Sequence, residues 1–333
     1  MKVAVFSTAP YERPFLDTAN SGHDLTYLET RLSRETVGLA AGFDAVAVFV
    51  NDSVDAEVLT ALRQHGIRLL ATRSAGYNHI DLEAADACGI TVARVPAYSP
   101  NAVSEFTLAL ILTLGRRVHR AYNRVREHNF ALTGLVGFEL RDKTVGVVGT
   151  GKIGATVVRN LSGFGCRILA YDSVRNADVA RLATYVDNLD DLLAQSDIVT
   201  LHVPLTPETH HLVDRSTVAR FRRGCMLVNT SRGGLLDTTA IIEALKSGQI
   251  GSLAIDVYEE EADLFFRDLS EEVMADDVFA RLMTFPNVLV TGHQAFLTDH
   301  ALTGIAETTV GSLTEFEQTG RCTHAVTSAA VTT

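Results

Sequence analysis

Cysteine, surplus positive charge and long apolar runs are all scarce in this sequence, and each shortage removes a class of protein. The 333 residues include four cysteines, whose scattered positions do not have the spacing of metal ligands. We therefore expect reduced thiols, a cytoplasmic protein and no bound metal. The net charge of −11 has the wrong sign for binding a nucleic-acid backbone. No apolar run reaches the ~18 residues of a membrane-spanning helix, so we expect no membrane partner.

The sequence does have enough hydrophobic residues, 47% of the total, to build two domains with their own cores. Its first hundred residues alternate strand-like and helix-like patterns, which is typical of a parallel sheet covered by helices. No glycine-rich turn follows the first of these strands. The strands predicted here are Val3–Phe6, Ala45–Val50, Ile67–Ala71 and Thr91–Val95.

The clearest functional motif is Gly149-x-Gly151-x-x-Gly154, which directly follows a valine-rich strand ending at Val148. In a dinucleotide site the first glycine permits a tight turn and the second lets a diphosphate approach the backbone. The third lets the following helix pack closely on the strand. The diphosphate then lies at the helix N-terminus, where free N–H groups favour negative charge. The pattern predicts a dinucleotide-binding domain.

The acidic residue that such a site needs follows at the expected distance. Residues 166–171 form a second apolar strand, and Asp172 ends it, roughly 20 residues beyond the glycines. A carboxylate there accepts hydrogen bonds from the ribose hydroxyls and repels a 2′-phosphate. We therefore predict NAD as the cofactor, while the nearby Arg175 leaves some use of NADP open.

A long helix from Asn101 to about Arg120 is expected to link the two α/β domains. A second helix, Ala301 to about Gln318, is expected to return to the first domain, and the tail after Arg321 is expected to fray. In open parallel sheets, ligands bind beyond the carboxyl ends of the strands. The later strands predicted in the second domain all end in polar residues, and they are Ile198–His202, Met226–Asn229, Ser252–Asp256 and Val288–Thr291.

Three residues beyond these strand ends have the chemistry needed to handle a 2-keto acid. Arg232 can hold a carboxylate through two parallel hydrogen bonds. His293 can protonate a carbonyl oxygen as the carbon is reduced. Glu261 beside His293 would favour the charged, proton-donating imidazole. Taken one at a time, each residue is as easily explained as an ordinary surface group, so the prediction depends on their occurring together.

The sequence resembles the D-isomer-specific 2-hydroxyacid dehydrogenases over nearly its whole length. The resemblance rests on the glycine fingerprint, on the Asn229–Gly233 and Asp256–Glu259 segments, and on Gly292–Phe296. The segments around Arg73–Asp81 and Val95–Pro100, and the stretch Glu261–Phe266, are most similar to the D-lactate dehydrogenase branch of that family.

The resemblance implies roles for individual residues. Arg232 matches the arginine that binds the substrate carboxylate, His293 the acid/base, and Glu261 its partner, because it lies five residues after Asp256. Besides Gly149, Gly151 and Gly154, the residues that match positions lining NAD are Lys152, Ile153, Asp172, Val203, Pro204, Thr209, Asn229, Thr230, Ser231 and Asp256. The residues that match the substrate pocket are Ser74, Ala75, Gly76, Tyr98 and Phe296, together with Arg232 and His293.

The fold implied is α/β, with two Rossmann-like, doubly wound parallel-sheet domains and an active-site cleft between them. Residues 1–100 with 298–333 would form the substrate domain and residues 101–297 the NAD-binding domain. The expected reaction is NADH-dependent reduction of pyruvate to D-lactate by a homo-oligomer, either a dimer or a tetramer. Two alternatives stay open, namely a dehydrogenase for a bulkier D-2-hydroxy acid and an NAD-sensing binding protein similar to transcriptional corepressors.

Overall fold

The computed structural model describes residues 1–331 and divides into two compact units. The first unit combines Met1–Ser99 with the chain from Leu297 onward, and the second is Pro100–Phe296. Each unit is built on a sheet of mainly parallel strands with helices on both faces, so the predicted pair of α/β domains is confirmed. The cleft between them stays a prediction. None of the described helices is both long and apolar enough to cross a membrane.

The N-terminal part of the first unit contains every strand predicted for it, with bounds that differ by one or two residues, and one more that the sequence did not predict. The additional strand, Asp24–Tyr27, pairs in parallel with the first strand at the edge of the sheet. The strands are β1 (Lys2–Val5), β2 (Asp24–Tyr27), β3 (Ala45–Val48), β4 (Leu69–Thr72) and β5 (Thr91–Ala93), and the helices are α1 (Arg13–Ala19), α2 (Ala56–Gln64) and α3 (Leu82–Cys88). The parallel part of the sheet has the order β2-β1-β3-β4-β5.

The second unit has seven parallel strands in the order β12-β11-β10-β9-β6-β7-β8, so the chain reverses its direction across the sheet beside β6. Ligands of such sheets bind at this reversal, beyond the carboxyl ends of the strands. The strands are β6 (Thr144–Val148), β7 (Arg167–Tyr171), β8 (Thr184–Tyr185), β9 (Ile198–Leu201), β10 (Cys225–Asn229), β11 (Ile250–Ile255) and β12 (Val288–Val290). The helices are α4 (Pro100–Gly115), α5 (Val118–Arg126), α6 (Lys152–Ser162), α7 (Leu189–Gln195), α8 (Arg215–Val218), α9 (Thr238–Ser247) and α10 (Asp277–Met283).

The prediction of one helix from Asn101 to about Arg120 was wrong, because two helices share that stretch. Helix α4 ends at Gly115, and Arg117 adopts a left-handed conformation with φ 53° before α5 begins. A Cβ atom at Gly115 would lie 2.8 Å from the ring of Phe138, whose backbone N–H donates to the Gly115 carbonyl. Helix α4 therefore ends at a residue without a side chain, which leaves room for the segment that carries Phe138.

The chain from Leu297 onward completes the first unit. Helix α11 (Asp299–Thr319) packs Leu313 and Phe316 against Val3 and Val5 of the sheet. The prediction of a frayed tail after Arg321 was wrong for β13 (Ala325–Val326), which pairs antiparallel with β5 and buries Val326. Backbone hydrogen bonds to an open sheet edge and one buried valine hold it there.

Candidate active site

The glycine turn after β6 has the geometry that a dinucleotide requires. Gly149 has φ 91°, and a Cβ atom there would lie 2.6 Å from the backbone of His202. A Cβ atom at Gly154 would lie only 1.9 Å from the Gly149 carbonyl oxygen, so α6 approaches the turn more closely than any side chain would allow. Two of the three glycines are therefore needed by the fold itself.

Gly151 is different, because a Cβ atom there would meet no heavy atom within 4 Å. It is exposed and precedes Lys152 and Ile153, the first residues of α6, whose N-terminal N–H groups have no partner within the helix. A missing side chain over an open helix N-terminus leaves room for a diphosphate at the backbone. The turn therefore fits a dinucleotide.

Asp172 follows β7 and lies beside this turn. Its Oδ2 accepts hydrogen bonds from the Thr150 backbone N–H at 2.5 Å and from Thr150 Oγ1 at 3.0 Å. Partial burial opposes ionisation, yet the hydrogen bonds from Thr150 and Val174 outweigh it and lower the pKa of the Asp172 carboxyl. Arg175 pairs with the Asp187 carboxylate at 2.6 Å, so a 2′-phosphate would compete with a protein anion for it. Ribose recognition by Asp172 stays a prediction.

Of the remaining residues predicted to line NAD, Asp256 follows β11, and the others lie at the end of β10 or in the loops after β9 and β10, where their side chains hold those loops together. The buried Asn229 donates from Nδ2 to the Arg232 carbonyl and accepts from the Ser231 backbone N–H. Ser231 Oγ donates to the Val203 carbonyl at 2.7 Å. The other side-chain contacts are Thr209 Oγ1 to the Pro204 carbonyl at 2.6 Å and Thr230 Oγ1 with Thr107 Oγ1 at 2.9 Å. Their contacts with NAD stay predictions.

Arg232, Glu261 and His293 follow three neighbouring strands, β10, β11 and β12, and so lie along the edge of the sheet that the carboxyl ends of its strands form. Parallel neighbours lie about 4.8 Å apart, so the three segments lie side by side. Arg232 is half-buried, and its Nη1 donates to the Ser231 carbonyl at 2.7 Å. A guanidinium has five N–H donors, so this bond leaves the group able to hold a carboxylate.

His293 and Glu261 form a close pair. Nδ1 of the imidazole lies 2.7 Å from Glu261 Oε1, and the two side chains are only 15% and 21% exposed. Glu261 is itself held by the Tyr258 backbone N–H, which donates to its Oε2 at 2.9 Å. Because Glu261 fixes Nδ1, Nε2 is the nitrogen placed to exchange a proton with a ligand.

Asp256 holds the loop that carries His293 through hydrogen bonds, a structural role that could not be predicted from the sequence. Its carboxylate accepts from Thr291 Oγ1 at 2.5 Å and from the backbone N–H groups of Gln294 and Ala295 at 2.9 and 2.8 Å. Burial raises the pKa of the Asp256 carboxyl, although these hydrogen bonds favour its ionised form. His293 between them has φ 54°, a conformation that costs a non-glycine residue about 1–2 kcal/mol. The loop is therefore strained and held by Asp256.

Phe266 is a residue that the sequence analysis did not single out. It also has a positive φ, 63°, and its ring lies 5.7 Å from the imidazole of His293, measured between centroids. Its neighbour Phe265 is buried against Phe279, which anchors the segment after Glu261. An aromatic side chain thus lies against the proposed acid.

In the first unit, the turn Ser74–Gly76 follows β4. Ser74 Oγ donates to the Gly76 carbonyl at 2.6 Å, and Arg94 donates to the Ala75 carbonyl at 3.3 Å. Tyr98, which follows β5, is half-buried. In the second unit, Phe296 is 6% exposed, which leaves little of its ring for a ligand. The substrate contacts predicted for these residues stay predictions.

Comparisons with known proteins agree with this geometry and confirm the resemblance found in the sequence. Residues 108–295 match the family model described as D-isomer specific 2-hydroxyacid dehydrogenase, NAD binding domain. The chain is 51% identical over 331 residues to 2-hydroxyacid dehydrogenase A of Aspergillus oryzae, covering 98% of this chain and 95% of that one. It is 48% identical over 324 residues to D-lactate dehydrogenase of Escherichia coli, covering 97% and 98% of the two chains.

Solved structures give the same result. The apo-structure of D-lactate dehydrogenase from Escherichia coli superposes with a TM-score of 0.88 at 46% identity, covering 98% of this chain and 100% of that one. A family model over more than half of the chain, and relatives this similar over nearly all of it, establish the family. The chain belongs to the D-isomer-specific 2-hydroxyacid dehydrogenases and is an NAD-dependent dehydrogenase.

Proposed function

We propose that this enzyme is a D-lactate dehydrogenase that reduces pyruvate to D-lactate with NADH. The observation that carries the proposal is the Glu261–His293 pair, in which a carboxylate 2.7 Å from Nδ1 orients a half-buried imidazole. The histidine of such a pair can act as a general acid that protonates a carbonyl oxygen, and the reduction of a keto acid needs such an acid. Two residues that follow adjacent strands of one sheet, β11 and β12, form this pair.

Arg232 is the proposed anchor for the substrate carboxylate. Its guanidinium fork matches a carboxylate with two parallel hydrogen bonds, which fixes the orientation of the attached carbonyl as well as its position. The turn beneath it is tied by the buried Asn229, which bonds both the Ser231 N–H and the Arg232 carbonyl. This turn fixes the backbone at Arg232, and the bond from Nη1 to the Ser231 carbonyl restrains the guanidinium itself before the substrate binds.

His293 is the proposed proton donor to the carbonyl oxygen of pyruvate. Bound NADH supplies the hydride that reduces the carbonyl carbon. Protonated His293 donates from Nε2, while Glu261 keeps Nδ1 in place and stabilises the positive charge of the imidazolium. In the reverse direction, neutral His293 accepts the proton of the D-lactate hydroxyl.

We propose pyruvate as the substrate, in place of another keto acid, because of the names of related proteins. The relative from Escherichia coli, 48% identical, is named D-lactate dehydrogenase, whereas the relative from Aspergillus oryzae is named only as a 2-hydroxyacid dehydrogenase. Both names support oxidation and reduction of a 2-hydroxy acid, and the Escherichia coli name alone of these two supports pyruvate and D-lactate.

The test is to follow NADH absorbance after adding pyruvate, and then NAD reduction with D-lactate and with L-lactate. We expect rapid oxidation of NADH with pyruvate, and in reverse a reaction with D-lactate alone. A panel of larger 2-keto acids, such as 2-ketoisocaproate and phenylpyruvate, serves as the matched comparison for side-chain size.

Other outcomes would change the proposal in defined ways. Slow reaction with pyruvate and fast reaction with larger keto acids would keep the mechanism and replace the substrate. Bound NADH without turnover of any keto acid would refute the enzymatic proposal and favour an NAD-sensing binding protein.

A further inference from the structure

A second histidine–glutamate pair lies at the same edge of the sheet, outside the proposed catalytic residues. Nε2 of His211 lies 2.5 Å from Glu259 Oε1, and the two side chains are 34% and 25% exposed. The other oxygen of Glu259 accepts from Thr238 Oγ1 at 3.1 Å. This network joins the loop after β9, the N-terminus of α9 and the segment after β11.

Two parts of the network, the loop after β9 and the segment after β11, contact the turn that carries Arg232. The backbone N–H of His211 donates to the Gly234 carbonyl at 2.8 Å. Gly233 lies so close to the Tyr258–Glu259 peptide that a Cβ atom would come within 2.0–2.3 Å of it. The residues on either side of the His211–Glu259 bond therefore contact the two glycines that follow Arg232.

His211 is also held in an unfavourable backbone conformation. Its φ of 51° places it in the left-handed region, which a non-glycine residue occupies at a cost and only where its surroundings fix it. Besides His211, His293 and Phe266 have positive φ near this edge. Strain of this kind tends to accumulate where a side chain must be placed accurately.

A metal ion does not explain the cluster. Among the residues that the structure describes, His210, His211 and Glu259 form the group whose ligand atoms lie within 4.8 Å of one another. However, the two imidazole rings are stacked, with centroids 3.9 Å apart and planes 24° apart. Stacked rings direct their lone pairs side by side, whereas the ligands of one ion must converge on it. The hydrogen-bonded pair accounts better for the geometry.

We propose that His211 and Glu259 are positioning residues that hold the Arg232 turn in the conformation that binds the substrate carboxylate. They act through Gly233 and Gly234. This inference rests on the proposed role of Arg232. Because a displacement of about 1 Å at a binding group can cost on the order of a hundredfold in rate, a loosened turn should weaken substrate binding measurably.

The test replaces each partner and separates substrate affinity from turnover. His211→Asn removes the bond to Glu259 while keeping a residue that tolerates a positive φ. Glu259→Gln keeps the size of the side chain but leaves one acceptor oxygen where the carboxylate has two, one for His211 and one for Thr238. For each variant we expect KM for the 2-keto acid to rise about tenfold, with kcat within threefold and NADH affinity within twofold of wild type. His210→Ala, which removes only the stacked neighbour, is the matched control and should leave all three unchanged.

The double variant provides a second readout. Since both substitutions disrupt one shared network, His211→Asn combined with Glu259→Gln should raise KM no more than about twofold beyond the larger single effect. A multiplicative effect would mean that the two residues act independently and would overturn the proposal. If His211→Asn fails to fold, KM of the Glu259→Gln variant alone still tests the proposal, and a KM equal to that of wild type would refute it.

Arg232→Lys distinguishes failure of this inference from failure of the proposed function. If Arg232→Lys raises KM steeply and the pair variants do not, the positioning role is refuted and the clamp stands. If Arg232→Lys leaves KM unchanged, Arg232 does not bind the carboxylate and both proposals fall. A merely structural role for the pair would lower kcat, NADH affinity and thermal stability together, and that result would also refute positioning.

Discussion

Substituting Gly151 with alanine should weaken NADH binding without weakening the fold. A Cβ atom there meets nothing within 4 Å, and the backbone, with φ −64° and ψ −164°, suits an alanine. We therefore expect the free energy of unfolding to stay within about 0.5 kcal/mol of wild type. The new methyl group, however, occupies the face over which a diphosphate must approach the helix N-terminus.

The expected loss of affinity follows from that overlap. Forcing a methyl group into a packed contact costs about 1–3 kcal/mol, and each 1.4 kcal/mol is a factor of ten in affinity. The dissociation constant for NADH should therefore rise roughly 5- to 150-fold. Titration of NADH fluorescence measures this constant, and urea unfolding of the same preparation measures stability.

Gly154→Ala is the matched contrast. Its Cβ atom would lie 1.9 Å from the Gly149 carbonyl oxygen, against roughly 3.5 Å for an ordinary contact, so α6 must move away from the turn. We expect it to lose both stability, by about 1–3 kcal/mol or more, and NADH affinity. If Gly151→Ala binds NADH within twofold of wild type, or is destabilised as much as Gly154→Ala, the diphosphate does not bind where we have placed it.

Four further substitutions test other parts of the site. Arg232→Lys should raise KM for pyruvate at least tenfold by removing the fork geometry, and a KM within twofold of wild type would exclude that role. Glu261→Gln replaces the carboxylate that lies 2.7 Å from His293 Nδ1, so kcat for pyruvate reduction should fall at least tenfold while NADH affinity stays within twofold. An unchanged kcat would argue against a role for Glu261 in holding the acid. Asp256→Asn should lower kcat at least tenfold and unfold at lower temperature, since one amide cannot accept all three bonds; unchanged kcat would show that the loop holds itself. Burial lowers the pKa of His202 to about 3, so stability should fall as pH drops below about 6.5, where the unfolded chain takes up a proton. The unfolding temperature of His202→Asn should depend less steeply on pH in that range; an identical slope would exclude His202 as the cause.

The sequence was sufficient to predict those parts of the fold and site that depend on local patterns. Gly149, Gly151 and Gly154 form a turn of the predicted kind, and the strands end where polar residues begin. The choice of Glu261 over its acidic neighbours came from the family resemblance, and the structure brings its carboxylate to His293. The catalytic role of that pair stays a prediction.

Features that depend on contacts between distant segments could not be predicted in this way. The break after Gly115 requires the approach of Phe138, which no periodicity in the helix reveals. The pairing of Glu259 with His211 joins residues 48 positions apart, and in the sequence Glu259 looks like part of an acidic loop. β13 is too short to produce a pattern, and an available sheet edge explains it.

The left-handed backbone at His211, Phe266 and His293 has a consequence for attempts to make this enzyme more heat-resistant. Glycine or asparagine would remove the backbone cost of positive φ at each position, while at His211 and His293 it would also remove the bond to a glutamate. Where the relief of backbone cost exceeds the lost contact, a selection for thermal tolerance alone would favour substitutions at the proposed proton donor itself and beside the carboxylate anchor. We expect thermostability and activity to oppose each other most strongly at these three positions, and to be separable in helices far from this edge.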